Sequence, residues 1–181
     1  WLAVAYHIPE ASHDDIPVLE LIGNILTSGR SSRLHRKVIY EDQSALSVFA
    51  SVDNNKAPGL FVITVNSIKQ GYTLEEVESV VNESLELLKD EMVTEREFEK
   101  AINQMETNLI FGLQTNFVRG MRIGFSLSRT GDPLGFVKKL ESYRQATTED
   151  IQKVAMKYFT PENRTIIRLL PKGNPEIPIT K

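Results

Sequence analysis

The chain has no cysteine among its 181 residues, which excludes a disulfide scaffold, a thiolate zinc site and a cysteine nucleophile together. Histidine is scarce. His7, His13 and His35 are the whole supply, and no two are spaced to meet on one helical face. No apolar run approaches the roughly 20 residues of a membrane-spanning helix. Charge of one sign is lacking too: 21 Lys and Arg stand against 24 Asp and Glu, spread without blocks, which speaks against a nucleic-acid partner. The sequence opens at Trp1, without an initiator Met, directly on the apolar run Leu2-Ala3-Val4-Ala5-Tyr6. The expectation is a piece of a longer polypeptide whose targeting signal lies upstream.

What is present reads as a globular chain, 41% hydrophobic and 25% charged. The run from Trp1 to His7, stopped by Pro9, predicts a buried strand. Asp14-Asp15 offers a helix cap and Pro17 suits a first turn, before Ile16, Leu19, Ile22, Ile25 and Leu26 at helical spacing. Ser31-Ser32 offers a cap for a short second helix through Arg33, Leu34 and Val38. Leu46, Val48, Ala50 and Val52 alternate as in a half-buried strand. After a turn cluster over 53–59, Leu60 to Val65 completes a hairpin.

The second half is helical. Thr73-x-x-Glu76 and Thr94-x-x-Glu97 are capping-box signatures ahead of apolar helical patterns. The pattern breaks near Gln114-Thr115-Asn116. Further helices are expected over Phe117 to Ser128, Leu134 to Tyr143 and Thr148 to Tyr158, then a last strand over Arg164 to Leu170. Gly120 and Gly124 would either loosen their helix or permit close packing. This partial segregation of strands and helices predicts an α+β fold: a mixed, mostly antiparallel sheet with helices on one face. No linker divides the chain, so one domain is expected over 1–173, with a loose tail over 174–181 marked by Pro175 and Pro178.

Candidate chemistry is thin. His7, Glu10 and His13 are the best metal-like cluster, yet Pro9 breaks any regular element between them, and a surface turn explains them equally. Ser31 and Ser32 with Arg33 and nearby His35 resemble a nucleophile and anion clamp. No Gly-x-Ser-x-Gly elbow surrounds them, and capping accounts for both serines. The basic run Arg30, Arg33, His35, Arg36, Lys37 could hold a peptide carboxylate or be a solvated helix face.

Four stretches together carry a family resemblance: Ala5-Tyr6-His7-Ile8-Pro9, Ser12-His13-Asp14-Asp15, the apolar helix Leu19 to Leu26, and Gly29-Arg30-Ser31-Ser32-Arg33-Leu34. So do Thr94-Glu95-Arg96-Glu97-Phe98 and a close with Thr148, Asp150-Ile151 and Ala155-x-x-Tyr158-Phe159 before a terminal strand. In order and spacing, over almost the whole chain, these resemble the non-catalytic C-terminal domain of M16 (pitrilysin/insulinase-like) zinc peptidases. The resemblance implies an α+β domain paired with an N-terminal domain that carries zinc on an inverted H-x-x-E-H helix. That motif is missing here, so this chain is expected to hold no cofactor and to be no enzyme on its own, but part of a zinc-dependent metalloendopeptidase.

The implied role is to help enclose a peptide substrate in a chamber and to contact the zinc-bearing domain or subunit; a homodimer is a further possible assembly. Arg30, Ser31, Ser32, Arg33 and Arg36 are the substrate or interface candidates. Active members carry an Arg and a Tyr, seven apart, after the S-R-L run; those positions fall on Ile39 and Leu46, while Arg36 and Tyr40 lie nearby but out of register. Two alternatives stand beside this reading: a catalytically inactive architectural homologue, and a small-molecule-binding α+β regulatory domain using the Gly29 region. Many bacterial relatives are exported, which tilts the compartment toward the periplasm.

Overall fold

The computed structural model describes residues 1–53 and 55–170; the tail expected over 174–181 lies outside them. Four strands, β1 (Leu2–Ile8), β2 (Ala45–Val52), β3 (Gly59–Ile68) and β4 (Arg164–Arg168), form one sheet in the order β2–β3–β1–β4. Every pairing among the described residues is antiparallel, and the fold is of the α+β class expected with a mixed, mostly antiparallel sheet. Strand alternation fixes which side is buried. Leu2, Val4, Tyr6 and Ile8 of β1 stand beside Val65, Ile63, Phe61 and Gly59 of β3, and all eight are buried. Gly59 is needed here, because a Cβ would collide with the backbone carbonyl of Asp53 across the hairpin.

The helices cover that side. The long helix α1 (Asp15–Thr27) crosses β2, with Ile16, Leu19, Leu21, Ile22 and Leu26 fully enclosed. Helices α3 (Leu74–Asp90), α4 (Glu95–Gly112) and α7 (Thr148–Tyr158) complete the layer, α4 and α7 against α1 and α3 against α7. Phe159, just past α7, packs on Tyr6 and Phe61 with ring centroids 5.0 and 4.9 Å away. The last helices, α5 (Asn116–Thr130) and α6 (Gly135–Gln145), form a hairpin beside this layer; α6 touches α1 and α4, whereas α5 packs mainly on α6.

The capping boxes at Thr73/Glu76 and Thr94/Glu97 are present with both reciprocal bonds. A third opens α7, and its cap is Thr147 with Asp150, one residue before the expected Thr148 start. Other expected caps are corrected. Asp14 occupies the N-cap of α1 without a side-chain bond, and His13 Nδ1 instead accepts from the Asp15 amide at 3.1 Å. Ser32 precedes the short helix α2 (Arg33–His35), but its hydroxyl turns back to donate to the Gly29 carbonyl at 2.7 Å, so it caps nothing. Beyond His35 the chain widens into a π-helical turn over Arg36–Glu41, closed by the Asp42 amide on the Lys37 carbonyl. Leu46 also departs from expectation: Val48 is buried and Ala50 and Val52 half-buried, yet Leu46 is 65% exposed. Its partner position in the sheet is Ser67, whose φ of 54° breaks the regular ladder.

Candidate functional site

Two features sit where function was expected. The first is the turn and helix from Gly29 to Val38. Gly29 takes a φ of 82°, which lets the chain reverse after α1. Lys100 of α4 closes the turn, donating to the Ser28 carbonyl and the Ser31 hydroxyl, both at 3.0 Å. Arg33 makes a two-pronged pair with Glu97, Nε to Oε1 at 2.8 Å and Nη2 to Oε2 at 3.0 Å. Glu97 is at once the N3 residue of the capping box of α4, accepting from the Thr94 amide at 3.0 Å. Hydrogen bonding from Arg33, reinforced by the Thr94 amide, holds its pKa at about 2 against an ordinary 4.5, despite partial burial. Arg36 is paired with Glu41 at 3.1 Å and Lys37 with Glu41 and Asp42, while Arg30 and Ser31 are exposed.

The candidate residues are thus neighbours, but their chemistry is spent inside the chain. Ser31, Arg33, Arg36 and Lys37 line one side of an open cleft of about 300 Å³; Val80, Glu83 and Leu87 of α3 line the other. Arg33 enters that cleft already paired, and Ser32 is buried with its proton on a backbone carbonyl, so the nucleophile-and-clamp reading has no geometry behind it. Sequence reasoning missed Glu97 and Lys100 as the residues that organise this turn. The signal for Glu97 was its place in the capping box; Lys100 follows one position short of a helical turn later and carried none of its own.

The second feature is the sheet's other face. Register sets Phe49, Thr64, Ala3 and Ile167 in one row across all four strands, and Ser51, Val62, Ala5 and Thr165 in the next. The ladder runs on past β1 and β4, where Leu169 donates to the Trp1 carbonyl at 2.8 Å and accepts from its amine at 3.0 Å. Phe49 is 59% exposed and Ile167 51%, because the helices lie on the opposite side. At the outer edge of β2, the Ala50 amide is already satisfied by Thr27 Oγ1 at 3.1 Å.

Zinc finds no fit among the described residues. His7 lies on the outer sheet face, and His13 turns Nδ1 to accept from the Asp15 amide. Among the described residues no group of three His, Cys, Asp or Glu is placed to hold a metal ion. The positions of the active-site Arg/Tyr pair are equally inert: Ile39 packs against the core, and Leu46 is an exposed aliphatic residue. Arg36 and Tyr40 lie on the π-helical turn, Arg36 facing Glu41 and the Tyr40 ring tilted by 42° against His35, centroids 5.6 Å apart.

Residues 1–105 match the family model described as "Peptidase M16 inactive domain". The chain is 24% identical over 165 residues to the uncharacterized zinc protease YmxG of Bacillus subtilis, covering 91% of this chain and 40% of that protein. It is 22% identical over 172 residues to the zinc protease PqqE of Helicobacter pylori, covering 94% and 38%. The chain therefore spans about two fifths of the length of these curated relatives. Among solved structures, an inactive peptidase domain from Bordetella parapertussis superposes with a TM-score of 0.84 at 23% identity, covering 99% of this chain and 94% of that one.

Proposed function

This chain belongs to the M16 peptidase family as its inactive domain, and from that premise we propose that it forms part of a substrate-enclosing chamber and the interface with a separate zinc-bearing domain. The observation that carries the proposal is the uncovered sheet face. A four-stranded sheet that leaves Phe49, Ile167 and Leu169 in solvent, with small Ala3 and Ala5 buried between them, offers a weakly apolar wall. Such a wall holds an extended peptide without demanding particular side chains. In this reading the hydrolytic chemistry belongs to the partner: a zinc-bound water needs a set of ligands that the described residues do not bring together. In this reading Arg30 and Arg36 contribute as exposed cations at the rim, while Arg33 and Ser32 hold the rim's shape through Glu97 and Gly29.

The test uses the domain in its assembly with a zinc-bearing M16 domain. Phe49→Asp and Ile167→Asp each place a charge on the wall without touching the core. Cleavage of a flexible peptide should fall severalfold at unchanged melting temperature, because the apolar contact is lost and a buried charge is penalised once peptide covers it. Unchanged cleavage in both variants removes the sheet face from the mechanism. An assembly with neither zinc nor cleavage leaves the chain as an architectural member of the family.

A further inference from the structure

Helix α5 is inside out. Its one buried residue is Ser126, and Val118 and Arg122 on the same side lie half-buried, Arg122 across Gly112. The larger apolar residues point the other way: Phe117 is 75% exposed, Met121 42%, Ile123 41%, Phe125 49% and Leu127 52%. At 100° per residue, Phe117, Met121 and Phe125 form one ridge, Ile123 and Leu127 a second, and Gly120, Gly124 and Ser128 the floor between them. A Cβ at Gly120 or Gly124 would meet nothing within 4 Å, so nothing within the described residues calls for a glycine at either position. Each weakens the helix relative to alanine.

The size of this face is diagnostic. The five apolar side chains leave on the order of 500 Å² in solvent, at the top of the range for the largest apolar patch of a monomer. Phe111 at the end of α4 and Leu134 before α6, 63% and 55% exposed, flank α5 in the chain, and with them the exposed apolar area approaches the roughly 800 Å² that one side of a stable interface buries. Charge selects the occupant. Residues 116–130 contain no acidic residue, and besides the inward Arg122 they carry the exposed cations Arg119 and Arg129. Arg129 sits over the Phe125 ring, 5.2 Å from its centroid, so a cation borders the ridge itself. A second copy docked about a two-fold axis would set arginines against arginines. A helix with an apolar face and an acidic border fits the two ridges and the glycine floor.

We propose that the outward face of α5 is the docking surface for an acid-bordered apolar helix of the zinc-bearing domain. The inference rests on the chamber reading for the identity of that domain, and it moves the domain contact from the Gly29–Val38 turn to the α5–α6 hairpin. The curated relatives are more than twice as long as this chain, which leaves ample polypeptide to cover the face.

The absence of cysteine makes the test clean. In the assembly, Ser128→Cys on the face and Ser79→Cys on the exposed side of α3 are labelled separately with a maleimide. We expect Ser128→Cys to react about tenfold or more slowly, since labelling must wait for the face to open. Adding Met121→Glu should bring its rate up to that of Ser79→Cys. Equal rates without that substitution overturn the proposal. So does protection that rises with protein concentration, which assigns the face to a second copy, or protection seen only with anionic vesicles, which assigns it to a lipid surface. The readout needs neither zinc nor cleavage. An assembly that protects Ser128→Cys but cleaves nothing therefore refutes the peptidase reading alone, and one that cleaves without protection refutes only the docking surface.

Discussion

The sheet with α1 and the α5–α6 hairpin handle the same raw material in opposite ways. Both are built from amphipathic patterns of Phe, Ile, Leu and Val. On the sheet side the pattern turns inward: Phe61, Ile63, Leu19 and Ile22 are wholly enclosed, and even an outward-pointing edge amide, that of Ala50, is satisfied by Thr27. On α5 it turns mostly outward, with Val118, Arg122 and Ser126 as the inner side. The core between sheet and helices is complete as it stands. The α5–α6 hairpin has the surface of a region whose core lies partly in another molecule or domain, since apolar area in water is what burial removes. Amphipathicity locates a helix, then, but not the direction of its apolar side.

The sharpest way to break this comparison is a pair of identical substitutions. Phe61→Ala removes a fully buried ring packed at 4.9 Å on Phe159 and should cost about 3–5 kcal/mol. Phe117→Ala removes a ring that is 75% exposed and should change the chain's own stability by no more than about 0.5 kcal/mol. Urea titration of both variants decides the matter. A cost for Phe117→Ala near that of Phe61→Ala would mean that α5 is buried within this chain after all.

A smaller effect is expected at the Arg33–Glu97 pair, which joins the candidate turn to the start of α4. The Glu97 pKa lies at about 2, below its ordinary 4.5. A depressed carboxylate pKa contributes stability that is fully present above the unfolded value and is lost as pH falls through the folded one. The contribution should therefore be intact above pH 4.5 and drain away between 4.5 and about 2. The pair is partly solvated, so Arg33→Ala should cost about 1–2 kcal/mol at neutral pH rather than the full value of the shift. Chemical unfolding of both proteins from pH 7 down to 2.5 checks this. The gap between them should narrow as the solution is acidified, and a constant gap would show that Arg33 acts through packing alone.

Much of the fold was legible for a local reason. Capping boxes at Thr73 and Thr94, the alternation of Val48, Ala50 and Val52, and the helical spacing of Ile16, Leu19 and Ile22 are properties of a few neighbouring residues, and neighbours decide them. The candidate site was harder to read because its bonds are long-range. Glu97 reaches Arg33 across 64 positions, and Lys100 reaches Ser31 across 69. Serines placed for capping could not reveal that Ser32 would bond backward to Gly29, a choice set by the left-handed φ of that glycine. The inversion of α5 was illegible for the same cause, since which side of a helix is inner depends on what else is present.

A loss of about 1 kcal/mol is expected at Thr27, the residue that seals the edge of the complete region. Its hydroxyl donates to the Gly23 carbonyl at 3.0 Å and accepts from the Ala50 amide at 3.1 Å. Thr27→Val keeps the shape and removes both bonds. Amide hydrogen exchange should then quicken at Ala50 and stay unchanged at Phe61, deep in the sheet. Unaltered exchange at Ala50 would show that the α1 helix shields this edge by bulk and not by the hydroxyl.

The smallest expected effect has the opposite sign and bears most directly on the open region. Gly120 and Gly124 lie inside α5 with empty space where a Cβ would go, and neither has a positive φ to accommodate. In an exposed helix interior, Gly→Ala stabilises by about 0.5–1 kcal/mol, through lower entropy of the unfolded chain and better helix propensity. Gly124→Ala should therefore raise the chain's own resistance to urea. At the same time its methyl group fills the floor between the two ridges, so an approaching helix must stand further off. The two readouts should move apart: a more stable chain, and weaker protection of Ser128→Cys in the assembly. A rise in stability with protection unchanged would leave the helix inverted but its glycine floor unused, and the partner would then be held by the Phe117, Met121 and Phe125 ridge alone.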